Sequence, residues 1–283
     1  YLAEILAGGH GVKCAAGVNA QPIAQAREER SSCSGRVRPT RGMAEVKGFR
    51  TALFIDTDAR RLAPSQQGQS WRTNLTRPTF WVKSALLWAT LFLVGALVDY
   101  RATGRGALVL LSTFLFVLRV QIQMALFWRR AIPWKEVVLE SGGIIPLSFL
   151  SLGAWCTIEP LTSADWAFFA LFVLGSAINF GPEWERYRWK TDPREAQARV
   201  GRLYTGSLFR YARHVNYTGE FVSFVGLALL TGCWWTLWVP GCMGAGLATF
   251  SVWEIEFYLA QRYSKEWPAY TKKCPWLLVP GVY

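Results

Sequence analysis

Thirteen residues, Leu208 to Glu220, hold two arginines, a histidine, two tyrosines, an asparagine and a glutamate, immediately before a long apolar run. His214 is one of only two histidines in the chain. Arg210 and Arg213 fall three apart and would share one face of a helix. Tyr211 and Tyr217 offer hydroxyls and ring faces, and the Asn216 amide has two donors and an acceptor, a set suited to a carboxamide such as nicotinamide. Polar groups this dense at the mouth of a membrane helix have to be solvated by water, a partner chain or a ligand. A basic anchor that snorkels to lipid headgroups is one reading, and a binding site is the other.

The order of the residues bears on that choice. Arg213-His214-Val215-Asn216-Tyr217-Thr218-Gly219-Glu220 resembles the Arg-His-Pro-Asn-Tyr-x-Gly-Asp/Glu signature of the membrane sterol reductases and their steroid 5α-reductase-like relatives. The C-terminus carries a second match. Arg262-Tyr263-Ser264-Lys265-Glu266-Trp267, then Tyr270, Pro275 and Pro280-Gly281-Val282-Tyr283, is similar to the ending of that family. Upstream, Tyr187-Arg188-Trp189-Lys190 resembles its basic, aromatic segment. The resemblance covers roughly residues 180–283.

It implies NADPH as cofactor, with Arg213, His214, Asn216, Tyr217 and Glu220 lining its pocket. Arg188, Lys190 and Arg210 would neutralise phosphate, Arg by a two-point fork and Lys as a point charge. A solvated loop is the plainer account of those three. Glu256 falls at an acidic position of the family, where it would bind a ribose hydroxyl or relay a proton. Alternatively it forms a salt bridge to Arg210 or Arg213. Trp267 and Tyr270, with Tyr283, would close over the adenine end or anchor the C-terminus at the interface. Val215 departs from the family, which has a φ-fixing proline there. The soluble dinucleotide turn, Gly-x-Gly-x-x-Gly after a strand, is absent.

The elements that must hold these residues are membrane helices. Hydrophobic residues make up 52% of the chain and there are 15 tryptophans, a number that suits interfacial belts. A span needs about 20 mostly apolar residues. Thr79–Val98, Ala107–Phe127, Val137–Cys156, Ala164–Phe180, Phe221–Val239 and Cys242–Ala260 give about six, the last two forming a hairpin that turns at Pro240-Gly241. The fold class is therefore all-α and polytopic. Gly142-Gly143, Gly241, Gly244 and Gly246 would permit close helix contact.

Arg129, Arg130, Lys135, the basic residues from Arg186 to Arg213, and Lys265, Lys272 and Lys273 all flank one side of these spans. The positive-inside rule then puts both termini in the cytosol, and the membrane expected is that of the endoplasmic reticulum or another organelle. Arg101 and Arg105 break the pattern. A net charge of +12 raises nucleic acid as a partner, but the charges interleave with Glu183, Glu185, Asp192 and Glu195 and belong to no nucleic-acid module. Anionic headgroups and a phosphate-bearing ligand suit them better. The six cysteines show neither metal-ligand spacing nor a disulfide framework.

Residues 1–78 are rich in Ala, Gly, Ser, Gln and Arg without sustained periodicity. They read as a disordered leader or targeting segment, with Met43 as an alternative start. Residues 79–180 would form the substrate side and 181–283 the cofactor-binding region. The function expected is NADPH-dependent reduction of a carbon–carbon double bond in a sterol, steroid or isoprenoid-like lipid. Tyr217 or a protonated Glu256 would serve as the acid. The lipid would enter from the bilayer between the early spans, where Glu140, Arg119 and Gln123 are the polar groups available. A second reading is a membrane S-adenosylmethionine-dependent methyltransferase like isoprenylcysteine carboxyl methyltransferase, which Glu254 and Glu256 keep open. A third is a catalytically silent membrane scaffold.

Overall fold

The computed structural model describes residues 75–98, 104–128, 132–196, 198–199 and 201–283. The expected leader therefore lies almost wholly outside the described residues, as do Arg101, Arg129 and Arg130. Everything with regular structure among the described residues is helical, and the chain is a polytopic membrane protein. Among the described residues, four helices are long and apolar enough to cross a bilayer: α1 (Pro78–Leu97), α2 (Gly104–Phe127), α3 (Trp134–Ala154) and α4 (Ser163–Thr191). A shorter apolar helix, α5 (Val215–Leu230), follows, then α6 (Trp238–Gly246), a π-helical segment Leu247–Ser251, α7 (Val252–Arg262) and α8 (Trp267–Lys273).

Two expectations change. The reversal after the fifth helix lies not at Pro240-Gly241 but at Gly232, whose φ of +75° is one that glycine adopts without a Cβ penalty. Pro240 instead sits in the first turn of α6, where no intrahelical N–H is needed. α5 is consequently 16 residues long, about 24 Å at 1.5 Å per residue. The fourth helix also outruns its expected end at Phe180, passing Pro182 and continuing to Thr191. It carries Arg186, Arg188 and Lys190 beyond the apolar stretch as a rigid extension.

Glycine sets the closest contact in the bundle. A Cβ on Gly226 would stand 2.5 Å from the Phe172 backbone nitrogen, and one on Gly175 or Gly219 would collide with the backbone of the facing helix. Gly219, inside the signature, thus lets α5 lie backbone to backbone on α4. Of the glycines expected to pack closely, only Gly244 does, against the Phe221 ring. Gly241 and Gly246 face open space, and Gly142 and Gly143 meet only ordinary van der Waals neighbours.

Phe116, Phe149 and Phe224 bring α2, α3 and α5 together in a ring cluster with centroids 4.7 to 5.5 Å apart. Leu87, Val94, Val109, Val117, Leu152 and Leu227 complete the buried core. At the end of the bundle away from the signature, Arg105 is buried and makes a two-point pair with Asp165, both bonds 3.1 Å. Asp165 in turn caps α4 through Thr162. The Arg105 charge, which breaks the expected positive-inside pattern, is thus paired within the protein. Trp155, Trp166, Trp234, Trp235 and Trp238 are exposed around that same end, as an interfacial belt requires.

Candidate functional site

The signature begins where a 3-10 turn, Ser207–Arg210, gives way to irregular backbone and then to α5, capped by His214. This break separates two residues expected on one helical face: Arg210 stays exposed, over the Tyr211 ring, while Arg213 is buried. Val215 takes the first helical position, where proline is well tolerated. His214 before it has ψ 39°, outside the extended range that a following proline imposes. The C-terminal tail holds this stretch in place. The Arg213 and His214 amides donate to Trp276 and Leu277 at 3.0 and 2.8 Å, and the Thr218 hydroxyl donates to the Leu278 carbonyl at 2.6 Å.

Arg213 spends its guanidinium on its own chain. Nε and Nη2 donate to the two oxygens of Glu256 at 2.9 and 3.1 Å, and Nη1 donates to the Cys274 and Pro275 carbonyls at 2.6 and 3.0 Å. Fully buried His214 places Nε2 2.7 Å from Glu256 Oε1. Of the readings open for Glu256, the ion pair to Arg213 is the one its contacts display. Burial holds the His214 imidazole below its ordinary pKa, against the opposing pull of Glu256.

Tyr217 lies nearly parallel to the His214 ring, 5.9 Å away at 17°, and packs against a second core formed by Ile255, Leu259, Tyr263, Trp267, Tyr270 and Cys274. Tyr270 is buried and donates to the Phe209 carbonyl at 2.6 Å, with Trp267 edge-on to it at 5.6 Å. Burial raises the Tyr270 pKa. Both side chains thus build the C-terminal core. Lys190 donates to the Tyr263 hydroxyl at 3.2 Å, and Arg188 is exposed. Arg213, Phe209, Trp267 and Tyr270, with Arg186 and Tyr204, line a small cleft whose enclosed volume is about 20 Å³. That is room for about one water, far below the roughly 300 Å³ of a ligand pocket, so a larger ligand would lie along the rim or need the cleft to open.

The other half of the signature faces the membrane bundle. Glu220 accepts from Arg119 Nη2 at 2.7 Å. The Asn216 carbonyl accepts from Asn179 Nδ2 at 2.9 Å, and Gln123 Nε2 donates to Asn179 Oδ1 at 2.7 Å. Next to them, fully buried Lys83 donates to Glu136 and Glu140 at 2.8 and 2.9 Å and lies 4.8 Å from the centre of the Trp128 ring. Two helices turn π-helical here, over Gln123–Phe127 and Val137–Ile144. The sequence reading passed over Lys83, Glu136 and Asn179, although a lysine six residues into an apolar helix is itself a signal.

Two features of this end bear on the dinucleotide that the resemblance implies. The Asn216 amide oxygen is buried and has no hydrogen-bond partner, which leaves an acceptor for a carboxamide N–H. Arg188, Arg210, Lys272 and Lys273 are exposed at the same end for phosphate.

The family described as "Protein of unknown function (DUF1295)" matches residues 144–274. That stretch runs from within α3 to just beyond α8, and contains both Arg213 and Glu256. No curated protein and no solved structure gives a match. Over residues 144–274 the chain is thus similar to that family, and this stretch of the chain holds the whole signature and its acidic partner.

Proposed function

We propose that the protein is an NADPH-dependent reductase of a carbon–carbon double bond in a sterol, steroid or isoprenoid-like lipid. It would act in the endoplasmic reticulum membrane with its basic end in the cytosol. One observation carries this reading: the first turn of α5 separates two polar worlds. Its start meets the C-terminal cleft through Arg213 and meets Glu256 through His214, and Glu220 one turn further on meets a charged layer inside apolar helices. Charge at that depth is expensive and generally functional.

When bound, NADPH supplies the hydride. Asn216 would hold the nicotinamide carboxamide, and Arg188, Lys190 and Arg210 would neutralise phosphates. Glu256 keeps Arg213 and His214 in place. Tyr217, beside His214, is the hydroxyl we assign to the accompanying proton.

The experiment is thermal stabilisation in detergent by NADPH, NADH and S-adenosylmethionine in parallel. Stabilisation by NADPH is expected. Stabilisation by S-adenosylmethionine instead would replace the reductase with a methyltransferase. A flat response to all three would favour a scaffold, a role in keeping with the internal use of every Arg213 contact described above.

A further inference from the structure

We infer that Arg119 is the polar anchor of a lipid-binding site inside the bundle, and that the ligand group it takes is a neutral acceptor oxygen, a ketone or hydroxyl, rather than an acid. The inference rests on the reading of the bundle as the substrate side of a reductase and gives that substrate a recognisable polar end.

Arg119 is 6% exposed, yet its Nε and Nη1 have no hydrogen-bond partner. Only Nη2 is used, by Glu220. Buried N–H groups left unmade are costly, more so on a charged group, so two donors aimed into a bundle call for an acceptor. Below them the guanidinium lies 5.2 Å from the centre of the Phe116 ring, itself part of the Phe116–Phe149–Phe224 cluster. The donors therefore sit over an aromatic floor of the kind an apolar ligand body would contact.

Local backbone supports a built site independently. Both π-helical segments of this half of the bundle, Gln123–Phe127 after Arg119 and Val137–Ile144 around Glu140, fall beside it, and π-turns inside α-helices concentrate at functional sites. Glu140, whose side chain is 41% exposed, follows Val138 and Leu139 on the lipid-facing surface, so the layer reaches the bilayer there.

Charge selects the ligand. The layer holds two cations, Lys83 and Arg119, against three carboxylates, Glu136, Glu140 and Glu220. Glu140 is within electrostatic reach of Glu220. A carboxylate or phosphate entering would add a fourth negative charge at low dielectric. A ketone or hydroxyl oxygen can accept both N–H groups and add none.

The test uses four probes of one chain length, hexadecan-2-one, hexadecan-2-ol, hexadecanoic acid and hexadecane. Each is titrated into the full chain in a neutral detergent without nucleotide, with Tm as readout. The ketone and the alcohol should raise Tm by about 3 °C or more near saturation, and the acid and alkane should not. In Arg119→Lys, which keeps the charge facing Glu220 but loses the forked donors, the ketone shift should disappear. Arg119→Met/Glu220→Gln removes the pair together, in case the single variant folds poorly, and should also lose it. An equal or larger shift with the acid, equal shifts with all four probes, no shift with any, or a ketone shift that survives in Arg119→Lys would each overturn the inference. Because nucleotide is absent, a failure of NADPH to bind is a separate result.

Discussion

Arg213 and Glu256 meet side by side, Nε to Oε1 at 2.9 Å and Nη2 to Oε2 at 3.1 Å, although they are 43 positions apart in the chain. The pair ties the start of α5 to α7, and the same arginine ties both to the tail through Cys274 and Pro275. Removing one partner strands the other in a largely buried setting, which typically destabilises by about 3–5 kcal/mol. Arg213→Ala should therefore show a marked fall in Tm in detergent. Arg213→Met/Glu256→Leu should recover part of that loss, and the coupling read from a double-mutant cycle should be favourable.

Gly175→Ala, Gly219→Ala and Gly226→Ala should each destabilise by about 1–3 kcal/mol, the usual range for overpacking, because each new Cβ meets facing backbone rather than a movable side-chain tip. Gly241→Ala is the matched control. Nothing lies within 4 Å of its Cβ position, so its Tm should stay at or slightly above that of the parent.

Asn216→Ala should weaken NADPH binding more than Arg188→Ala does. Asn216 is buried with its amide oxygen unpartnered in the protein, and leaving a ligand carboxamide unpaired there is worth about 1–3 kcal/mol. Arg188 is exposed, so the single phosphate contact proposed for it would be screened, and its effect should shrink further as salt rises. Affinities measured at two ionic strengths give the ranking. The reverse order would place nucleotide binding away from the signature.

His214 makes stability pH-dependent. Its folded-state pKa lies below the ordinary value of about 6.5, so the folded protein favours the neutral ring. Stability from this group is then complete above about pH 6.5 and is lost as pH falls through the lower folded value. Tm measured from pH 7.5 down to 5 should decline at the acidic end. His214→Gln keeps an N–H donor for Glu256 without a titrating ring, and should flatten that decline.

Much of this protein is local, and therefore legible along the chain. Apolar runs of the right length mark α1 to α4, since a bilayer span is a property of composition and length. The signature from Arg213 to Glu220 stands in consecutive residues, and its likeness to a reductase motif needed no coordinates. What tertiary structure alone decided is which way each residue of that signature faces. A break in the backbone at residues 211–214 buries Arg213 and leaves Arg210 in solvent. Gly219 turned out to be a contact residue only because Gly175 and Asn179 of another helix press on it. Lys83 with Glu136 and Glu140, Arg119 with Glu220, and Arg105 with Asp165 are partners 53 to 101 residues apart. No period or propensity encodes such pairs. They follow from packing the helices together, which removes water from each charge and leaves the opposite charge on a neighbouring helix as its remaining solvation.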